Sequence, residues 1–194
     1  MARGRGSQRL TIDAWQARRR RRRRLGVLAV AAAVTSVAIA GRLGGVTWSS
    51  DPLRVYDGRS FAVLRVIDGD TLDIDRPDGA QPHTRVRLWG IDTPELARVA
   101  AGRPAEPGAE AARAALSRWT ASGRVTLRLE PQRLRDGFGR LLAHVDTAEV
   151  GSVQQALLRA GLARADERWH HTRLGTYRHA ESEAKADGIG VWGD

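Results

Sequence analysis

The chain has 194 residues, 42% of them hydrophobic, a formal net charge of +10 and no cysteine. These values fit one compact domain with an appendage, and they exclude wholesale disorder, a disulfide framework and any cysteine-based zinc site. The charge does not mark the folded part as a nucleic-acid binder: residues 1–40 hold ten arginines against Asp13, a net of +9, which leaves +1 for residues 41–194.

Residues 1–24 are polar and basic and end in the unbroken run Arg18 to Arg24. Leu25 to Ala40 follows, sixteen residues without a charge. A basic segment before an apolar run reads as an export signal, and Ala38-Ile39-Ala40 supplies an A-x-A cleavage pattern. Left uncleaved, residues 25–40 form a short membrane anchor with the arginines in the cytoplasm. Either way the C-terminal domain is expected outside the cytoplasm, extracellular or anchored. Residues 41–58 read as a linker, because Gly44-Gly45, Ser49-Ser50, Asp51-Pro52 and Asp57-Gly58 discourage regular structure.

The domain is expected over residues 59–194. Ser60 to Ile67 is β-rich, and Asp68-Gly69-Asp70 is a tight turn. Thr71 to Asp75 alternates, with Leu72 and Ile74 on one face and Asp73 and Asp75 on a second, solvated face. Pro77-Asp78-Gly79 makes a hairpin connection to a third strand, Thr84 to Trp89. Leu96 to Gly108 reads as a loop. Ala109 to Ser122 reads as a helix whose Ala109, Ala112, Leu116 and Trp119 share a face, with Gly123 closing it. Arg124 to Glu130 and Arg140 to Asp146 are strands. Ser152 and Gln155 form a capping box for a helix ending at Gly161, and a last helix covers Leu174 to Ala186. The order βββ-α-ββ-α-α, with five short strands and a helix between the third and fourth, predicts an α+β fold of the OB type: a five-stranded β-barrel with helices.

The chemistry concentrates in Val86-Arg87-Leu88-Trp89-Gly90-Ile91-Asp92-Thr93-Pro94-Glu95. This stretch offers a guanidinium, two carboxylates and a threonine. Asp68-Gly69-Asp70-Thr71 lies upstream, and Arg140 lies downstream in Asp136-Gly137-Phe138-Gly139-Arg140. Hard carboxylate oxygens suit Ca²⁺ or Mg²⁺, and paired arginines suit phosphate, so the set reads as a metal-assisted phosphodiesterase. Taken singly, Asp68 and Asp70 are turn formers, Asp92 is a cap before Thr-Pro, and Arg87 and Arg140 are exposed strand residues. What reverses these readings is co-occurrence at the positions of the family that residues 59–193 resemble. His170 and His171 are adjacent with no third ligand beside them, and they read as surface or helix-entry residues. Trp89, Trp119 and Trp192 read as core.

Residues 59–193 resemble the staphylococcal nuclease (thermonuclease-like) domain family. The motifs that carry the resemblance are Val66-Ile67-Asp68-Gly69-Asp70-Thr71, Val86-Arg87-Leu88 with Gly90-Ile91-Asp92-Thr93-Pro94-Glu95, and Asp136 with Phe138-Gly139-Arg140-Leu141-Leu142-Ala143. Leu157 with Ala160-Gly161-Leu162-Ala163, Ala180-Glu181 with Ala184-Lys185, and Gly188-Ile189-Gly190-Val191-Trp192 complete the set in family order. The resemblance implies an OB-fold barrel and Ca²⁺-dependent cleavage of DNA and RNA by a monomer. It implies Asp70 and Asp92 as carboxylate ligands of Ca²⁺, Thr93 as a backbone-carbonyl ligand, Glu95 as the residue that positions or deprotonates water, and Arg87 and Arg140 as phosphate-binding arginines. Phe138 stands where the best-known members carry a tyrosine, and Gly137 where a lysine is common. The rival from another class is a non-catalytic OB-fold module that binds nucleic acid while tethered to the membrane.

Overall fold

The computed structural model describes residues 51–97, 100 and 102–193. The basic tract, the apolar run of residues 25–40 and most of the expected linker lie outside the described residues.

Five strands carry the architecture: β1 (Ser60–Val66), β2 (Thr71–Ile74), β3 (Thr84–Leu88), β5 (Arg124–Arg128) and β6 (Leu141–Thr147). They pair in the order β3-β2-β1-β5-β6, antiparallel throughout, and β3 then pairs with β6 in parallel. That last pairing closes the sheet into a barrel, which removes both edges and leaves no long backbone ladder unpaired. A register shift between Val63 and Arg65 bends β1, the strand that must pair on both sides. The α+β OB-type barrel expected from the element order is what forms.

Shorter elements surround it. Helix α1 (Pro52–Tyr56) precedes the barrel, β4 (Ile91–Asp92) follows β3, and α2 (Ala109–Trp119) lies between β4 and β5. After β6 come β7 (Gly151–Ser152), α3 (Val153–Arg159), β8 (Arg164–Ala165), α4 (Leu174–Ala186) and a 3₁₀ turn at Gly190–Trp192. Ser152 Oγ accepts a bond from Gln155 N, the expected N-cap of α3.

The core fills the barrel and the helix faces against it. Leu72, Ile74, Val86, Leu88, Val125, Leu127, Leu141 and Val145 come from the strands, and Leu116, Leu157, Leu158 and Tyr177 from the helices. Burying each large aliphatic side chain contributes about 1.5–3 kcal/mol, so this set dominates folding. Gln154, fully buried on α3, ties the layers together: its Oε1 accepts from Val145 N, and its Nε2 donates to Ala143 O and Trp89 O.

Several local expectations need correction. The linker reading fails at residues 52–56: Asp51 caps α1, Pro52 starts it, and Tyr56 enters the core with its hydroxyl 2.9 Å from Thr84 Oγ1. Proline at a first helical position promotes a start rather than blocking one. Helix α2 ends at Trp119 rather than Ser122, because its backbone bonds then tighten to three-residue spacing, Ala121 N to Arg118 O at 3.1 Å and Gly123 N to Thr120 O at 2.9 Å. Asp73 does not face solvent. It is 0% exposed and collects Arg65 at 2.7 Å, Arg85 at 2.9 Å and His83 at 3.2 Å. Trp89 and Trp119 are core, but Trp192 is only partly buried, with Arg164 and Lys185 stacked over its ring.

Candidate active site

Two turns and one strand end build the site. The turn between β1 and β2 presents Asp68 and Asp70. Asp68 Oδ1 accepts from Asp70 N at 3.1 Å, a local bond that shapes the turn and fixes the backbone from which Asp70 projects. Gly69 sits between them because nothing larger fits: a Cβ there would come within 2.7 Å of both Ala112 Cβ and Thr93 Oγ1. Helix α2 therefore presses directly on the acidic turn.

Asp70 is only 5% exposed. Its Oδ1 accepts from Thr71 Oγ1 at 3.0 Å, and its Oδ2 accepts from Thr93 Oγ1 at 3.0 Å and Thr93 N at 3.2 Å. Three donors fix the carboxylate, and its charge faces Arg87, with which it forms an ion pair. The other end of that guanidinium donates to Asp92 Oδ1 at 2.7 Å and to Ile91 O at 3.0 Å. Two carboxylates from separate turns thus converge on one positive group. A hard divalent cation seeks the same arrangement, oxygen donors from several segments around one positive charge, so the residues present fit Ca²⁺.

Gly90 makes this convergence possible. Its φ of +79° reverses the chain between Arg87 on β3 and Asp92 on β4. The turn is then pinned from the far side of the chain. Ile91 pairs with Ala165 and Asp92 with Arg164, and Asp166 N donates to Gly90 O at 2.9 Å. Glu181 on α4 holds β8 in turn, accepting from Ala165 N at 2.9 Å. Glu95 lies further along, exposed on the cleft wall, with its backbone clasped by Glu106 through bonds of 3.1 and 2.9 Å.

Arg140 enters from the loop before β6. Asp136 organises that loop: Oδ1 accepts from Phe138 N and Arg140 N at 2.9 Å each, and Oδ2 accepts from Arg140 Nε at 2.7 Å. Burial tends to raise the Asp136 pKa, but the bonds from Arg140 and Phe138 outweigh it and hold the carboxyl below its usual value. Arg140 Nη1 reaches Thr71 Oγ1 at 3.2 Å, which joins it to the Asp70 network. Burial depresses the pKa of Arg87, Asp92 opposes that, and the charge of Arg140 adds to it. A guanidinium remains protonated all the same. Two cations repelling each other beside one cleft are matched to an anion with several oxygens.

The open cleft has a volume of about 1060 Å³. Asp70, Arg87, Asp92, Glu95 and Arg140 line it. Thr93 is buried behind Asp70 and lines the neighbouring hollow instead. Five of the six site residues expected from the sequence therefore share one cleft, and the sixth holds the first from behind.

These relationships agree with what comparison reveals. The model of the staphylococcal nuclease homologue family matches residues 85–194. The chain belongs to the staphylococcal nuclease homologue family. Relatives include a thermonuclease from Staphylococcus intermedius, 36% identical over 140 residues that cover 70% of this chain and 77% of the relative. A thermonuclease from Staphylococcus hyicus is 32% identical over 140 residues, covering 72% and 79%. Endonuclease YncB from Bacillus subtilis (strain 168) is 34% identical over 130 residues, covering 66% and 59%.

The cleft rim carries exposed aromatics. Phe138 is 89% exposed, and Trp169 lies on the cleft wall with Arg133 stacked 3.9 Å from its ring centre. The roles of Asp136 and Thr71 escape sequence reasoning. The signal for Asp136 was its place four residues before Arg140, across a Gly-Phe-Gly turn. Of the reading of His171 as a surface or helix-entry residue, the helix-entry half holds, since Leu174 N at the start of α4 donates to His171 O at 3.2 Å, and the surface half is wrong. His171 is 1% exposed, and Glu130 and His144 stand beside it. His170 is exposed as expected.

Proposed function

We propose that this protein is a Ca²⁺-dependent nuclease that hydrolyses phosphodiester bonds of DNA and RNA by in-line attack of water on phosphorus. The observation that carries the reading is the convergence of Asp70 and Asp92 on Arg87, with Arg140 tied to Asp70 through Thr71. The names of the relatives, thermonuclease and endonuclease, support it at the level of the reaction class.

Asp70, Asp92 and the backbone of Thr93 would hold Ca²⁺. Bound there, Ca²⁺ supplies Lewis-acid polarisation of a phosphate oxygen. The other steps belong to side chains of the chain. Glu95, exposed on the cleft wall with its backbone fixed by Glu106, orients the attacking water and accepts its proton; general-base catalysis contributes typically about 10²–10⁴-fold. Negative charge grows on the equatorial oxygens as water attacks. Arg87 and Arg140 donate to those oxygens and stabilise the transition state more than the ground state. Asp136 fixes Arg140 at Nε and Thr71 engages one hydrogen of Nη1, which leaves Nη2 and the second hydrogen of Nη1 for phosphate.

The basic tract Arg18 to Arg24 and the uncharged run Leu25 to Ala40 are read as an export signal or anchor, so the nuclease acts outside the cytoplasm on polymers it meets there. Fractionation of expressing cells tests this part.

The catalytic reading is tested by incubating the full chain with single-stranded DNA and RNA, in millimolar Ca²⁺ and in chelator, beside Glu95→Gln and Arg140→Ala. Cutting that needs Ca²⁺ and falls in both variants is the expected result. Oligonucleotide binding without cutting, with or without Ca²⁺, would replace this reading with that of a binding module.

A further inference from the structure

On the opposite side of the Gly90 turn from the cleft, three buried side chains meet. Glu130 follows β5, His144 lies in β6 and His171 precedes α4, and one potential ligand atom from each lies within 4.8 Å of the others. The rings of His144 and His171 are 5.2 Å apart, and Tyr177 packs against both.

Two of the three are explained by the hydrogen bonds they make. Glu130 Oε1 accepts from Thr172 N at 2.8 Å and Thr172 Oγ1 at 2.5 Å and lies 3.1 Å from His144 Nε2, and Oε2 accepts from Gln132 Nε2 at 3.1 Å. His144 Nδ1 lies 2.9 Å from Tyr177 OH. His171 has no such account. Both its ring nitrogens are buried, and among the described residues neither has a hydrogen-bond partner. A buried imidazole with two unpaired nitrogens is costly, because its lost hydration is not replaced.

We propose that Glu130, His144 and His171 form a second metal site, one for a divalent transition ion of the Zn²⁺ class and distinct from the oxygen cluster at Asp70 and Asp92. Two imidazole nitrogens and one carboxylate are a donor set for Zn²⁺, whereas Ca²⁺ takes oxygen ligands in larger number. Tetrahedral zinc with bonds of about 2.0–2.1 Å sets its donors roughly 3.3 Å apart, close to the 3.1 Å between His144 Nε2 and Glu130 Oε1. The second layer is in place. In the tautomer that carries its proton on Nδ1, His144 donates to Tyr177 OH and presents a bare Nε2 that can ligate, while Thr172 and Gln132 hold the carboxylate. Burial lowers the pKa of both imidazoles, that of His144 to about 4, in the direction of the neutral form that a metal ligand needs.

The location gives the ion a structural role. It would fasten the end of β5, the middle of β6 and the entry to α4 to one another. His171 also backs the catalytic turn: a Cβ on Gly90 would come within 2.5 Å of His171 Nε2. An ion that fixes His171 thereby fixes the floor under Arg87 and Asp92.

The test uses the full chain stripped with chelator, then dialysed against micromolar Zn²⁺ in millimolar Ca²⁺, which keeps the oxygen site filled with calcium. About one zinc retained per chain, a melting temperature raised by several degrees, and visible d–d absorption when Co²⁺ replaces Zn²⁺ are expected. His171→Asn, folded by circular dichroism, should lose all three signals; Glu130→Gln serves for the comparison if that variant does not fold. Stripped, folded wild-type protein that takes up no zinc, or shows the same uptake and melting shift as either folded variant, overturns the site. None of these readouts depends on nuclease activity.

Discussion

Arg87 Nη2 donates to Asp92 Oδ1 at 2.7 Å while the same guanidinium pairs with Asp70. The residue proposed to bind phosphate therefore sits on the two carboxylates proposed to bind Ca²⁺. A cation held by those carboxylates would compete with Arg87 for their negative charge. Arg87→Ala should bind Ca²⁺ more tightly in calorimetry, because a competing positive charge is gone. The same variant should cut nucleic acid about 10²–10³-fold more slowly. Weaker Ca²⁺ binding by Arg87→Ala would refute a shared site.

Asp136 touches no expected reacting atom, so its effect must run through Arg140. Asp136→Asn keeps an oxygen for Phe138 N and Arg140 N but loses the charge on Arg140 Nε. Asp136→Ala loses all three bonds. Cleavage should fall roughly tenfold in the first and about 10²-fold in the second, since misplacement of a catalytic group by about 1 Å has effects of that order. KM and kcat measured separately should show the loss mainly in kcat. Equal activity in wild type and Asp136→Ala would mean that β6 alone aims Arg140.

Gly69 and Ala112 form a tight pair between the acidic turn and α2. Gly69→Ala should destabilise the protein by about 1–3 kcal/mol in urea and disturb Asp70, as overpacking does. Part of the clash is with Ala112 Cβ, so adding Ala112→Gly should recover part of the loss. A double-mutant cycle with no coupling energy would show that α2 yields freely.

Asp73 governs part of the acid behaviour. Burial acts to raise its pKa, but bonds from Arg85 and Arg65 outweigh burial and hold it below 3.8. A carboxylate whose pKa is lower folded than unfolded stabilises fully above the unfolded value and loses that contribution as pH falls through the folded one. Stability should therefore drop below about pH 3.8, and Asp73→Asn should flatten that part of the profile. At neutral pH the substitution should cost about 1–2 kcal/mol, because the side chains of Arg65 and Arg85 are partly exposed and water screens the pairs. Urea titrations at pH 3, 4 and 7 would decide it, and parallel curves for the two proteins would exclude this role.

Legibility followed interaction range. Strand alternation, the face of α2 and the Ser152 cap depend on neighbours within a few positions, and the sequence reading of each survives with ends shifted by one to three residues. The six expected site residues could be picked out because they sit in compact motifs, and five of them line one cleft. Helix α1, the burial of Asp73 and the surroundings of His171 were not readable. Tyr56 is buried against Thr84, 28 positions away, and His171 meets Glu130 and His144 from two other elements.

By itself the sequence determined the barrel's order of elements, its apolar faces and the supply of two carboxylates, a third acid and two arginines. Periodicity and turn chemistry are local properties, and they suffice for that much. Only the tertiary structure decided that Asp70 and Asp92 share one cation, that Asp136 and Thr71 steer Arg140, and that a buried Glu-His-His cluster lies under the catalytic turn. The longest of these contacts join segments distant in the chain: the parallel closure of β3 on β6 brings Arg140 to Thr71 across 69 positions, and Thr172, next to His171, meets Glu130 across 42.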